Sequence, residues 1–395
     1  MQSTLQCKNK PLTRLKTGNN RGWLARAPWG DRVRRYRAVD RVDMRVSTDM
    51  NDRTPTREGF GHGCAMSRLA LTFACCRYDR MDAIREGDVV PAGLTLNCIT
   101  LRSGREIFDR MVGGQEFDVA ELSASEFISL MGRGDCPFVA LPVFPSRVFR
   151  HGYIFINTRR GIRTPKDLEG KRVGLPLYTQ TAAIWVRGHL MHEFNVDVAT
   201  IRWVEGAVEK AGAHGRAHAP ALLRPVQIER NAGAEPLGAL LARGAIDALI
   251  GSRKPDELGR HPDVARLFPD YRRRERELYQ RTKIFPIMHL IAIRRDLYER
   301  QRWIAQSLYD AFVESKRRAR SRMRYAGSLS AMLPWLIDDV EEIDELFEGD
   351  AFPYGIEANR PTLQALVAYM VEQHFIARPV PIEDLFVPLA DAILT

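Results

Sequence analysis

Beyond Arg68 the chain alternates short apolar runs with stretches that carry helix signals. LALTFACC, LTLNCITL, FDVAEL and FVALPVF have the length and composition of strands. Between them, SGREIFDRMVGG reads as a helix, with Ser103 as its N-cap and Gly113-Gly114 as its stop. SASEFISLMGRG reads as a second helix, capped by Ser123 or Ser125. This alternation predicts an α/β protein with mostly parallel sheets.

A second unit of the same kind starts at Gly161. A short helix begins at Thr164-Pro165, where proline suits the first turn. The strand KRVGLPL, the loop YTQ, the helix TAAIWVRGHLMHEF and the strand TIRWVEG follow. Residues 207–225 read as a surface insertion. EPLGALLARGAIDALIGS reads as a helix, a break at Gly244 and a strand. Residues 255–282 read as polar and turn-rich. KIFPIMHLIAIRRDL then supplies another apolar strand, Ile284 to Ile293, and the rest of the chain reads as mostly helical. Two crossings therefore stand out, near 142–153 and 284–293. They predict a two-lobed, hinged fold with a ligand cleft. One lobe would comprise residues 66–146 plus 290–395, and the other 147–289.

The net charge of +10 suggests a nucleic-acid partner until it is divided. Residues 1–65 hold 14 Lys/Arg against 6 Asp/Glu, so they carry +8 and the main body only +2. The basicity therefore says little about the lobes, and neither a nucleic acid nor a membrane is expected as partner. Residues 1–65 lack sustained apolar periodicity and read as a disordered arm, a targeting segment or sequence upstream of a true start at Met66. No apolar signal core precedes Met66, and Leu69–Ala74 is too short to be one. No apolar run is long enough for a transmembrane helix. The six cysteines form no C-x-x-C pair, so reduced thiols in a cytoplasmic protein are the expectation.

Chemistry-bearing residues gather at the crossings and strand ends. PVFPSRVFRHG places Arg147, Arg150 and His151 between two apolar runs. They fit a solvated basic loop or an anion site, because guanidinium pairs with carboxylate through two parallel hydrogen bonds. FPIMH puts His289 on the second crossing. TQTAAIWVRG offers a helix N-terminus with Thr179 and Thr181, which suits an anion as well as plain capping. Trp185 fits a ring-stacking residue or a core tryptophan, and Arg187 the cleft or solvent. Tyr78, Arg80, Ser123 and Ser125 follow strands, at the carboxyl ends where open α/β sheets bind ligands. His189 with His192, and His214 with His218, lack cysteine or carboxylate partners at ligand spacing, so no metal site is expected. The basic runs 271–277 and 316–324 read as solvated faces. There is no glycine-rich dinucleotide fingerprint, P-loop or H-E-x-x-H.

A family resemblance follows from YDR (78–80), FDVAELS (117–123), PVFPSRVFRH (142–151), DLEGKRVGLP (167–176), TAAIWVRG (181–188), IDALI (246–250), RLFPD (266–270), FPIMH (285–289) and YGIEANR (354–360). Over residues 67–395 the chain resembles the 4,5-dihydroxyphthalate decarboxylases. It departs from them at Met81, where threonine is frequent, and at Ala207, where a second glycine is usual. The resemblance implies a type II periplasmic-binding-protein-like fold and non-oxidative loss of carbon dioxide from a dihydroxylated aromatic dicarboxylate, without an organic cofactor. A metal brought by a catechol ligand stays open. Such chemistry needs an acid near the ring carbon, a base or positive field at the hydroxyls, and a clamp for the remaining carboxylate. Arg147 and Arg150 are then the expected clamp, His151 or His289 the acid, and Glu121 a base. Thr179, Thr181, Trp185, Arg187, Tyr78, Arg80, Ser123 and Ser125 are the expected substrate contacts. The alternative is a solute-binding protein of the same fold that holds an aromatic carboxylate without chemistry. A homo-oligomer is compatible with either.

Overall fold

A computed structural model describes residues 68–212, 214–215 and 221–390. The basic stretch 1–65, the expected start at Met66 and His218 lie outside the described residues. The first lobe is built on β1 (Leu69–Cys76), β2 (Leu94–Leu101), β3 (Val119–Ser123) and β4 (Phe138–Arg147). Helices α1 (Asp79–Arg85), α2 (Gly104–Gly114) and α3 (Ala124–Arg133) connect them. The second lobe holds β5 (Ile154–Asn157), β6 (Arg172–Leu175), β7 (Arg202–Glu205), β8 (Ile228–Arg230), β9 (Ala248–Ile250) and β10 (Val264–Arg266). Its helices are α4 (Thr181–Phe194), α5 (Leu237–Ala242) and α6 (Tyr271–Thr282). The chain returns through β11 (Ile287–Arg294) and ends in α7 (Arg295–Arg300), α8 (Trp303–Met323), α9 (Leu336–Leu346) and α10 (Arg360–Glu372).

Each sheet has a parallel core and is mixed overall. The first runs β2-β1-β3-β11-β4 and the second β10-β5-β9-β6-β7-β8. β1 pairs parallel with β2 and β3, and β6 with β7 and β9. The antiparallel members are β11, against β3 and β4, and β5, against β9 and β10. These are the strands that arrive from the other lobe. They enter from the cleft side and so run against strands whose carboxyl ends point there, where crossover helices keep sequential strands parallel. Two sheets joined by two crossings match the layout that the resemblance implies.

Residues 271–282 are helical rather than irregular. YRRRERELYQRT buries only Glu275 and Leu278, so apolar periodicity is faint. Its turns are supported by Arg274–Asp270 and Arg273–Glu277 pairs, both 2.8 Å and one turn apart. α4 is the opposite case: every residue from Thr181 to Leu190 is buried. α10 packs across it so closely that a Cβ on Gly188 would run into the Tyr369 ring. Gly188→Ala is therefore expected to destabilise the fold by about 1–3 kcal/mol, the usual cost of overpacking. A lower Tm or urea midpoint, with the chain still folded, checks this. Among the described residues no helix is long and apolar enough to cross a membrane.

Candidate active site

Two prolines shape the site. β4 and β11 pair regularly from Phe138↔Arg294 to Leu141↔Ile291, then the register jumps to Ser146↔His289. Pro142 and Pro145 fall in the gap and have no N–H to give to a ladder. Their carbonyls accept instead from the Gly355 N–H at 2.9 Å and from Arg80 Nε at 2.8 Å. The break leaves His289 between two register shifts. Such bulges re-aim side chains next to functional sites.

His289 lines a cleft of about 250 Å³ where the two lobes meet. Ser103, Arg105 and Phe108 come from the start of α2, and Ser123 from the end of β3. Arg150 and Tyr153 come from the first crossing, and Gln180 and Thr181 from the start of α4. His214, Ser252 and Arg253 complete the second-lobe side. The N-caps Ser103, Ser123 and Gln180 are all extended, and none caps its helix with its side chain. Three helix N-termini thus surround a site that also gathers arginines and histidines; on α3 the Ser125 N–H donates to the Thr181 hydroxyl at 3.2 Å. The field favours an anion. A larger groove of about 910 Å³ opens between α4, β7, β8 and the end of α10. None of the predicted site residues lines it.

A buried carboxylate holds His289. Glu121 Oε1 lies 2.5 Å from His289 Nδ1 and accepts the Tyr78 hydroxyl at 2.6 Å, while Oε2 accepts the Cys76 N–H at 2.8 Å. Burial alone would raise the Glu121 pKa, but the His289 charge and these donors bring it down to about 2. Glu121 therefore stays ionised and orients the ring, so that Nδ1 carries a proton toward it. His289 Nε2 has no hydrogen-bond partner among the described residues. Glu121 itself is fully buried and saturated with donors, which places it behind the cleft as a positioning residue and not at a ring hydroxyl. Because its folded pKa is depressed, its stabilisation is complete above about pH 4.5 and is lost as pH falls toward 2. Glu121→Gln is expected to flatten acid unfolding over that window, measured as denaturant midpoint against pH; an unchanged slope would contradict the assignment.

Arg150 is 5 % exposed and lines the cleft, yet no hydrogen bond joins its side chain to another described residue. Its Nε is buried without a partner and its guanidinium lies 5.1 Å from the Tyr153 ring centre. Burial lowers its pKa to about 10, partly offset by Tyr153 and Glu275, so it remains charged at neutral pH. Arg105 is tied to Glu126 and Asp109, and Arg253 to Glu209 at 2.9 Å. His214 has its pKa lowered by burial and by Arg253, Arg105 and Lys210, and is neutral at pH 7.

Other expected site residues point elsewhere. Arg147 turns away from the cleft to Asn359 Oδ1 (2.6 Å) and the Phe285 carbonyl (2.8 Å). His151 is buried behind Arg150, with Nε2 3.2 Å from Glu193 and its ring 5.1 Å from that of His189. Trp185 is a core residue that donates to the Ile287 carbonyl at 2.9 Å. Arg187 is fully buried between Gln373, the Tyr178 carbonyl and the Tyr178 ring. Arg80 stacks on Tyr78 and Phe352 and binds the Pro145 carbonyl. Ser125 donates to the Thr179 carbonyl and joins Ser123 to Thr181 through hydroxyl contacts of 2.9 and 3.3 Å. That seryl–threonyl cluster ties the two lobes; of it, Ser123 and Thr181 reach the cleft. Among the described residues no group of side chains is arranged to hold a metal ion.

The sequence reading missed Ser103, Arg105, Ser252 and Arg253, although the signal was present. LRSGR follows β2 and IGSR follows β9, both at carboxyl ends of strands.

No family model matches the chain. A 4,5-dihydroxyphthalate decarboxylase of Comamonas testosteroni is 34 % identical over 332 residues, 82 % of this chain and 98 % of that protein. One of Pseudomonas putida is 36 % identical over 208 residues, 52 % of this chain and 79 % of that protein. The solved periplasmic aliphatic sulphonate binding protein SsuA of Escherichia coli aligns over 82 % of this chain and 93 % of its own, at 13 % identity and a TM-score of 0.46. The near-complete alignment to the Comamonas testosteroni enzyme settles the family: the chain belongs to the 4,5-dihydroxyphthalate decarboxylases.

Proposed function

We propose that the cleft removes carbon dioxide from a dihydroxylated aromatic dicarboxylate such as 4,5-dihydroxyphthalate, yielding 3,4-dihydroxybenzoate. The observation that carries this reading is the His289 imidazole at the cleft, fixed by buried Glu121 within a site that collects Arg150, Arg105 and Arg253. A dicarboxylate supplies the negative charge this site lacks.

The carboxylate that leaves is para to a ring hydroxyl. Loss of the hydroxyl proton pushes electrons into the ring, toward the carbon that bears this carboxylate. Arg105 and Arg253 beside the cleft favour the phenolate that forms, and His214, which burial and these cations keep unprotonated, is available to accept the proton. Protonated His289 gives its Nε2 proton to the ring carbon, forming a dienone. The carbon–carboxylate bond then breaks, its electron pair returns to the ring, carbon dioxide departs and the phenol regains a proton. The net reaction consumes one proton and forms one C–H bond. Arg150 holds the carboxylate that stays, where its positive charge persists at any working pH. The scheme uses no organic cofactor, and His151 takes no part in it.

Incubation with 4,5-dihydroxyphthalate, with carbon dioxide and 3,4-dihydroxybenzoate both followed, tests the reading. Stoichiometric formation of both is expected. Tight binding of that acid and of related hydroxybenzoates without turnover would instead assign the chain as a binding protein.

A further inference from the structure

The cleft is rich in hydrogen-bond donors and poor in acceptors. Among the described residues that line it, none is an aspartate or a glutamate. Gln180 supplies an acceptor. It is the N-cap of α4, a position that Asn, Asp, Ser and Thr fill best, and its side chain does not cap the helix. The amide turns instead to the segment after β9, where Nε2 donates to the Ser252 hydroxyl at 3.1 Å. Its Oε1 is left buried without a hydrogen-bond partner. A buried acceptor in that state costs free energy until a donor reaches it.

Ser252 is the complement. Its Oγ accepts from Gln180, and no other hydrogen bond joins its side chain to a described residue. Its own proton can therefore go to an oxygen in the cleft, which both residues line. The linked pair so offers one acceptor and one donor. A catechol that has lost one proton offers the converse. One oxygen only accepts, and the hydroxyl on the next carbon still donates. A carboxylate brings no proton at working pH, and a singly hydroxylated ring brings none once that hydroxyl is ionised.

We propose that the Gln180–Ser252 pair recognises the two adjacent ring hydroxyls of the substrate. Ser252 Oγ donates to the phenolate oxygen para to the leaving carboxylate, and Gln180 Oε1 accepts from the neighbouring hydroxyl, which keeps its proton. This rests on the decarboxylase reading of the cleft and adds the residues that select a dihydroxylated acid over a monohydroxylated one. Such selection is effective because the analogue that lacks the hydroxyl leaves the acceptor unpaired.

The test compares 4,5-dihydroxyphthalate with 4-hydroxyphthalate, which keeps the hydroxyl para to a carboxylate and lacks its neighbour. The ratio of their kcat/KM values is taken on one preparation, so an inactive fraction cancels. The unaltered protein is expected to prefer the dihydroxylated acid. Gln180→Met should reduce that preference by about ten- to hundredfold, with the loss on the dihydroxylated acid alone. Gln180→Asn retains a good N-cap but withdraws the amide by one methylene, and should show a fall in the same direction. Ser252→Ala should slow both acids by a similar factor, because both pass through the phenolate. The proposal is overturned if Gln180→Met slows both acids equally or changes neither, or if Ser252→Ala acts on the dihydroxylated acid alone. Should neither acid lose carbon dioxide, the decarboxylase reading fails separately. The ratio of the two dissociation constants, measured by titration calorimetry, then decides the pair: a fall in Gln180→Met supports it and an unchanged ratio overturns it.

Discussion

His289→Gln is expected to lower turnover by about 10²- to 10⁴-fold, the range that a positioned general acid contributes, while substrate still binds. Glutamine approximates the size of the ring and can keep a hydrogen bond to Glu121, but it cannot carry a proton to carbon. The loss should therefore appear in kcat, with KM little changed. Glu121 acts only through the ring, so Glu121→Gln should cost less, and it should move the alkaline limb of the kcat–pH profile, where the protonated ring is lost, to lower pH. A purely structural role for Glu121 would lower stability and leave that profile in place. His151→Gln is the contrast. His151 is 2 % exposed and engaged with Glu193 behind the cleft, so its removal should change stability and leave the pH profile alone. If His151→Gln abolished turnover and His289→Gln did not, the assignment of the acid would be reversed.

The sequence announces both histidines equally, and that limit has a physical origin. Strand and helix can be read from apolar spacing, which is why β1–β4, α2 and α3 are legible in LALTFACC through FVALPVF. The pairing direction of a strand leaves no trace in its own periodicity, so β11 is legible as a strand but the antiparallel pairing of β5 and β11 is not. Nor is the aim of a side chain beyond a break in register. PVFPSRVFRH shows that cationic groups cluster at the crossing. Pro142 and Pro145 interrupt the ladder with β11, and which side chains then reach the cleft depends on partners far away in the chain. Arg147 finds Asn359 from the segment before α10, and His151 finds Glu193 at the end of α4. Those partners are invisible to any local window. Where the signal is local, as in the serine and arginine after β2 and after β9, the strand-end rule suffices to locate the residue.

Arg150 and Arg147 provide the sharper test, because one substitution should act on them with opposite signs. Both guanidinium groups are buried, and burial lowers the pKa of both, to about 10 and about 9. Arg147 is compensated by two good acceptors, Asn359 Oδ1 and the Phe285 carbonyl, and by the Phe285 ring 4.8 Å away. Arg147→Met would leave those acceptors buried and unsatisfied, at about 1–3 kcal/mol for each such group. Its melting temperature should fall. The Arg150 side chain has no hydrogen bond to another described residue, so it is a desolvated charge suited to an anion. Arg150→Met removes that cost and keeps most of the side-chain volume. Its melting temperature should rise by a few degrees, taking ~2–4 °C per kcal/mol for a domain of this order of size. Affinity for the dicarboxylate should fall by about a hundredfold, since a charge-assisted bidentate pair in a water-poor cleft is lost. Saturating ligand should then stabilise the unaltered protein much more than the variant, because ligand linkage scales with affinity. A variant that binds as before, or an Arg147→Met that loses binding in its place, would move the clamp to the other arginine. Stability given up at Arg150 and recovered on binding is what a preorganised anion site requires: the charge is held dry beforehand, so the substrate carboxylate does not have to desolvate it.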